Sequence, residues 1–174
     1  MNEMRYGGNL FLLPEGPEAA VVTTNGIVKN NSEAVMGAGI AKYARDNFPE
    51  SAMILGRLLS KHGNHAYFLG SFHDRHRVLA GKPGSVFVAT MPTKHHWKDP
   101  SDLDLIRQSA KELMAIADKN NLEKIYLPAP GCSNGRLDYA TQVRPVISRI
   151  LDSRFTVCLA PELYDSLAGQ GGCT

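Results

Sequence analysis

Three short stretches of this 174-residue chain carry residue types that can do chemistry. The first, Val35-Met36-Gly37-Ala38-Gly39-Ile40-Ala41-Lys42-Tyr43-Ala44, is a small-residue loop that runs into a helical pattern. The start of a helix leaves backbone N–H groups without partners, and glycines let an anion approach them with no side chain in the way. Met36, Gly37, Ala38, Gly39 and Ile40 therefore read as a phosphate cradle, although a tight packing turn would use the same residues. It is not a dinucleotide fingerprint, because Lys42 and Tyr43 stand where the third glycine would fall. The second stretch, Ala129-Pro130-Gly131-Cys132-Ser133-Asn134-Gly135-Arg136, is another glycine loop and leads to a helix start at Asp138. Two cradles imply a ligand with more than one phosphate. Between them, Pro92-Thr93-Lys94-His95-His96-Trp97-Lys98 places a lysine just beyond a buried strand, beside two histidines and the only tryptophan. A lysine kept partly neutral by burial is a nucleophile toward an electrophilic carbon, whereas a basic surface loop anchored by Trp97 would also account for these types. Cys132 has no histidine near it in sequence and reads as a small, semi-buried loop residue rather than a nucleophile. His73 and His76 have no third ligand placed by spacing and read as solvated, so neither a metal nor a cofactor is expected.

The elements that must hold these loops alternate between strand and helix patterns. The run Glu18 to Asn25 is β-branched and apolar and ends on a polar asparagine, as expected for a buried strand whose carboxyl end faces a ligand. Further strands are expected near the N-terminus, over 66–70, over 85–91, over 124–128 and over 154–159. Helices are expected from the first loop to Phe48-Pro49, over 50–62, and from Asp102 with Leu103, Ile106, Ala110, Leu113 and Ala117 inward. Another follows Asp138, with a Val143, Ile147, Ile150 stripe. The segment 72–82 reads as a charged, histidine-rich surface turn, and 162–174 as a short helical turn with a frayed tail. No repeat, linker or second domain is visible, so residues 1–174 are expected to form one α/β domain.

Composition narrows the class without deciding it. A hydrophobic content of 43% and this length allow a real core, which excludes a disordered or disulfide-held peptide. A net charge of +2 neither demands nor excludes nucleic acid. Three cysteines, Cys132, Cys158 and Cys173, with no Cys-x-x-Cys, point to a reducing compartment. No signal-peptide or transmembrane run stands out, so a cytoplasmic protein with no membrane partner is expected.

The motifs also have a familiar order. Gly8-Asn9-Leu10, then Val21 to Asn25, then Met36-Gly37-Ala38-Gly39-Ile40-Ala41, then Gly131-Cys132-Ser133-Asn134-Gly135 resemble a macrodomain over nearly the whole chain. Pro92-Thr93-Lys94-His95-His96-Trp97 and the Gly-Cys-x-Asn-Gly-x-Leu-Asp run resemble, within that family, the DarG-type DNA ADP-ribosyl glycohydrolase branch. The resemblance implies a three-layer α/β/α fold with a central mixed sheet, and ADP-ribose or an ADP-ribosylated substrate as ligand. It implies that Asn9, with Leu10, faces the adenine, where the family usually places an aspartate. Asn25 would bind the distal ribose hydroxyls, and Gly37 to Ile40 one phosphate. Gly131 to Gly135 would hold the other phosphate and the distal ribose, and Thr93, Pro130 and Arg136 are expected among the ligand-binding residues. Lys94 matches the lysine that the resemblance makes catalytic at the anomeric carbon of the distal ribose. Single-stranded DNA as a partner fits the basic run Lys94, His95, His96, Lys98 with Trp97 to stack on a base. A monomer is expected. Ser133 and Arg136 stand where the branch usually has glycine, and Gly135 stands where one hydrolase branch has a catalytic aspartate. A phosphatase acting on ADP-ribose 1''-phosphate and a non-catalytic ADP-ribose reader are the competing functions.

Overall fold

A computed structural model of the chain describes residues 1–13 and 16–170. The expected frayed tail beyond Gln170, with Cys173, lies outside the described residues. The elements run β1 (Asn2–Arg5), a 3-10 turn (Leu10–Leu12), β2 (Ala19–Asn25), α1 (Gly39–Asn47), α2 (Pro49–His62), β3 (Tyr67–His73), α3 (Arg75–Leu79) and β4 (Ser85–Lys94). They continue with α4 (Leu103–Asn120), β5 (Ile125–Pro128), a π-helical turn (Tyr139–Val143) that continues into α5 (Arg144–Ile147), β6 (Phe155–Leu159) and α6 (Pro161–Gln170).

The strands form one six-stranded sheet in the order β1-β6-β5-β2-β4-β3. Every neighbouring pair is parallel except β3 with β4, so the sheet is mixed. A central parallel strand is covered on both faces, which is why β2 reads as an unbroken apolar run rather than an alternating one. Ala19 and Val21 face one core with Met91, Leu127, Val157 and the α4 and α5 residues Ile106, Leu113 and Ile147. Ala20 and Val22 face a second core with Val88, Ala44, Phe48, Leu55 and Leu59. Helices thus cover both faces, giving three layers, and each fully buried branched side chain contributes about 1.5–3 kcal/mol.

Asp102 caps α4 by accepting from the N–H groups of Asp104 and Leu105, and the helix ends at Asn121 in the left-handed region. Among the described residues, no helix is long and apolar enough to cross a membrane.

Two local expectations are corrected. The segment 72–82 is not a solvated turn: it contains the end of β3 and α3, and it buries Asp74 completely and Arg77 to 2% exposure. Both are paired, as buried charge requires. Asp74 accepts from the Tyr43 hydroxyl at 2.9 Å, and Arg77 donates to the carbonyls of Pro83 at 2.7 Å and Phe11 at 2.9 Å. Lys94, expected beyond its strand, is instead the last residue of β4.

Candidate active site

Parallel strands deliver their carboxyl ends to one edge of the sheet, and in open α/β folds ligands bind there. A cleft of about 920 Å³ opens at that edge, over the ends of β2, β4 and β5. Its size and largely apolar walls suit an organic ligand of nucleotide dimensions.

One wall is the first glycine loop and the start of α1. The residue before the helix, Ala38, provides no side-chain cap, and the first turn has no acidic residue, so its N–H groups remain available to an anion. A Cβ on Gly37 or Gly39 would meet nothing within 4 Å, so both glycines border open space. Gly39 also has φ +53°, a conformation that glycine adopts without strain. Asn25, at the end of β2, braces this loop: its Nδ2 donates to the Val35 carbonyl and its Oδ1 accepts from the Ile27 N–H, each at 3.0 Å. Tyr43 lines the same wall, and burial followed by its bond to Asp74 raises its phenol above the ordinary range.

The opposite wall is the second glycine loop, whose glycines serve packing. Gly131 has φ +76°, and a Cβ there would press on Ile106 and Ser101, each at 2.9 Å. A Cβ on Gly135 would run into Ser101 Oγ and the Gly131 carbonyl. The loop is thereby seated on the residues that open α4, with the Ser101 N–H donating to the Gly135 carbonyl at 2.9 Å.

Lys94 stands between the walls. The β2–β4 ladder slips at its end, so that Asn25 lies opposite Lys94 rather than Thr93. Lys94 Nζ donates to the carbonyl of Asn134 at 2.9 Å and, more weakly, to that of Trp97 at 3.5 Å. Its own carbonyl accepts from Asn64 Nδ2 at 3.0 Å, and that of Thr93 from the Asp102 N–H at 2.9 Å. At the mouth, Trp97 is 49% exposed, with His96 stacked on it at 5.5 Å and Lys98 Nζ 5.0 Å from its ring centre. His95 bonds Asp102 at 3.0 Å. Burial pushes the Asp102 carboxyl up, but the His95 bond and the N–H groups of Leu105 and Asp104 outweigh it and hold the carboxyl below the usual range.

The other titratable groups of the second loop are poorly suited to catalysis. Burial, with the Asp138 charge adding to it, pushes the Cys132 thiol up to about 12. Asp138 caps the π-helical turn, and bonds from the Thr141 side chain and N–H keep its carboxyl below the usual range. Among the described residues, no group of three or more His, Cys, Asp or Glu is placed to hold a metal.

Asn9, Leu10, Asn25, Gly37, Ala38, Gly39, Ile40, Thr93, Lys94, Gly131, Ser133, Asn134 and Gly135 all line the cleft. Four of the residues singled out in the sequence do not. Met36 is in the core at 1% exposure, Pro130 is buried, Cys132 turns its sulfur to the Pro130 carbonyl at 3.3 Å, and Arg136 is exposed outside the cleft. Asn9 spends one acceptor site on the Phe11 N–H at 3.0 Å, capping the 3-10 turn. The sequence reading missed Thr23, Thr24, Tyr43 and Ser101 as lining residues. Tyr43 was detectable from its place one helical turn after Gly39, whereas Ser101 carried no signal beyond preceding a helix cap.

The macrodomain of Mycobacterium tuberculosis DarG superposes with a TM-score of 0.69 over 91% of this chain and 97% of that one, at 22% identity. The fold is a macrodomain. A second structure with this fold is that of Thermosipho africanus DarTG in complex with ADP-ribose, with a TM-score of 0.71 and 22% identity over 92% of this chain and 42% of that one. By sequence, the chain is 27% identical over 146 residues to the DNA ADP-ribosyl glycohydrolase of Thermus aquaticus, covering 84% of this chain and 37% of that protein. It therefore spans little more than a third of the length of such curated relatives. No family model matches the chain.

Proposed function

We propose that this macrodomain binds ADP-ribose across its two glycine loops and hydrolyses the bond between the distal ribose and a modified nucleobase or acidic side chain, with Lys94 as the catalytic residue. The observation that carries the reading is the position of Lys94 Nζ, on a strand end between the two loops and 2.9 Å from the backbone of the second. A ligand with a phosphate at each loop would present C1 of its distal ribose to that amine, so positioning supplies much of the rate. Lys94 acts there either by attacking C1 or by stabilising the charge that develops while water attacks C1. In the first case the C1–Nζ bond forms as the bond to the leaving group breaks, the leaving group takes up a proton, and water then cleaves C1–Nζ to free ADP-ribose and the amine. An attacking amine must be neutral and must first release the Asn134 carbonyl. The names of the curated relatives and the ADP-ribose bound in the DarTG structure support the ligand and the reaction class.

Single-stranded DNA is the substrate carrier we favour. Trp97, 49% exposed at the cleft mouth, carries His96 stacked on it and the Lys98 ammonium over its ring, so a base that displaced the His96 ring would find an aromatic surface with positive charge beside it. The unpaired Cys132 and Cys158 fit a reducing compartment such as the cytoplasm. A reader that binds without turnover is the second reading, because a lysine tied to a loop carbonyl also acts as a clamp.

The test is release of ADP-ribose from an ADP-ribosylated single-stranded oligonucleotide, with ADP-ribose binding measured on the same preparations. The glycohydrolase reading expects release by the wild type, loss of at least about a hundredfold in Lys94→Ala, and binding by both. Binding by both with release by neither establishes the reader. Phosphate released from ADP-ribose 1''-phosphate would assign the phosphatase instead.

A further inference from the structure

Two buried side-chain atoms have no hydrogen-bond partner among the described residues, Asn64 Oδ1 and Ser101 Oγ, and of these residues only Ser101 lines the cleft. Ser101 is 8% exposed and lies where three parts of the site meet. Its N–H holds the Gly135 carbonyl, its neighbour Asp102 holds the Thr93 carbonyl, and its Cβ and Oγ fill the space that the bare Gly131 and Gly135 leave free. The backbone around the hydroxyl is thus committed while the hydroxyl itself is idle.

A buried hydroxyl without a partner costs free energy, and any state that gives it an acceptor recovers that cost. Ser101 lines the cleft together with Gly131, Ser133 and Gly135, so a ligand oxygen seated against the second loop is the acceptor that its position offers. We infer that Ser101 is a ligand-positioning residue whose hydroxyl, without a partner in the protein itself, donates to an oxygen of the phosphorylated ribose held by the second loop. This rests on the reading of the cleft as an ADP-ribose site. It adds a neutral donor beside Lys94 that would fix the distal ribose without adding charge at the reacting carbon.

The inference predicts a signature that an ordinary structural serine lacks. Removing a paired serine destabilises the free protein, whereas removing an idle one leaves it unchanged or raises its melting temperature. The experiment measures Ser101→Ala and wild type by thermal denaturation without ligand, and by calorimetric titration with ADP-ribose and with ADP, which lacks the distal ribose. The expected result is an unchanged or higher melting temperature together with about five- to tenfold weaker ADP-ribose binding. If ADP binding weakens equally, the acceptor is a phosphate oxygen. If it is unchanged, the acceptor is on the distal ribose. Wild-type binding retained in Ser101→Ala overturns the inference alone, as does a clear fall in melting temperature, which would mean that water already satisfies the hydroxyl. Absence of ADP-ribose binding by the wild type overturns the reading of the cleft as well.

Discussion

Arg136 is the non-glycine residue of the second loop in a left-handed backbone conformation, with φ 62°, at a position where the resemblance expects glycine. Its side chain is exposed and outside the cleft, so nothing in the site compensates for that conformation. A non-glycine residue there costs about 1–2 kcal/mol, partly offset by the greater freedom of glycine in the unfolded chain. Arg136→Gly should therefore raise stability by about 0.5–1 kcal/mol in chemical denaturation with ADP-ribose affinity unchanged, and a loss of stability would show that the loop is not strained. Cys132 makes a second point about single residues, because the loop that holds it also silences it. With its thiol pushed up to about 12, very little is thiolate at pH 8, and the thiolate is the reactive form. Peptide-mapped alkylation of the native protein at pH 8 should modify Cys132 at least about a hundredfold more slowly than free cysteine, with the rate rising as pH climbs toward that value. Rapid native alkylation would reopen the case for a cysteine nucleophile.

At the scale of elements, the first loop owes its position to α2. The Ala34 N–H donates to the Ala52 carbonyl at 2.8 Å, and Gly56 lies so close to the segment ahead of the loop that a Cβ there would run into the Ser32 carbonyl oxygen. Helix propensity alone would make Gly56→Ala stabilising by about 1 kcal/mol. The contact is with backbone, which has no rotamer to retreat into, so the clash decides the sign. Gly56→Ala should destabilise the protein by about 1–3 kcal/mol in denaturant titration. It should also weaken ADP-ribose binding, since residues 32–34 lead directly into the cradle. A stabilised variant would mean that the loop moves freely over α2.

At the scale of the whole molecule, the two loops meet because β5, β2 and β4 are adjacent and parallel, so chain segments about ninety residues apart emerge at one edge of the sheet. Much of this was legible in the sequence. The buried run Ala19 to Asn25, the Leu103 to Ala117 stripe and both glycine loops report their surroundings locally, through period and residue type. What was not legible depended on distant partners. The segment 72–82 looks like solvated charge until Asp74 meets Tyr43 and Arg77 meets the Phe11 carbonyl across the fold. The two glycine loops look alike in sequence but differ in cause: Gly37 and Gly39 border open space, whereas Gly131 and Gly135 press onto Ser101 and Ile106. Ser101 itself had no signature, because an unpaired hydroxyl is a property of the assembled site.

That difference gives the most direct test of the central claim, that the open space over the first loop is where a phosphate of ADP-ribose sits. A Cβ at position 37 would meet nothing within 4 Å, so Gly37→Val should fold with a melting temperature close to that of the wild type while filling the ligand's place. Calorimetric titration with ADP-ribose should show one site per chain in the wild type and about ten- to hundredfold weaker binding in Gly37→Val. Equal binding by the two proteins, or no binding by the wild type, would contradict the account.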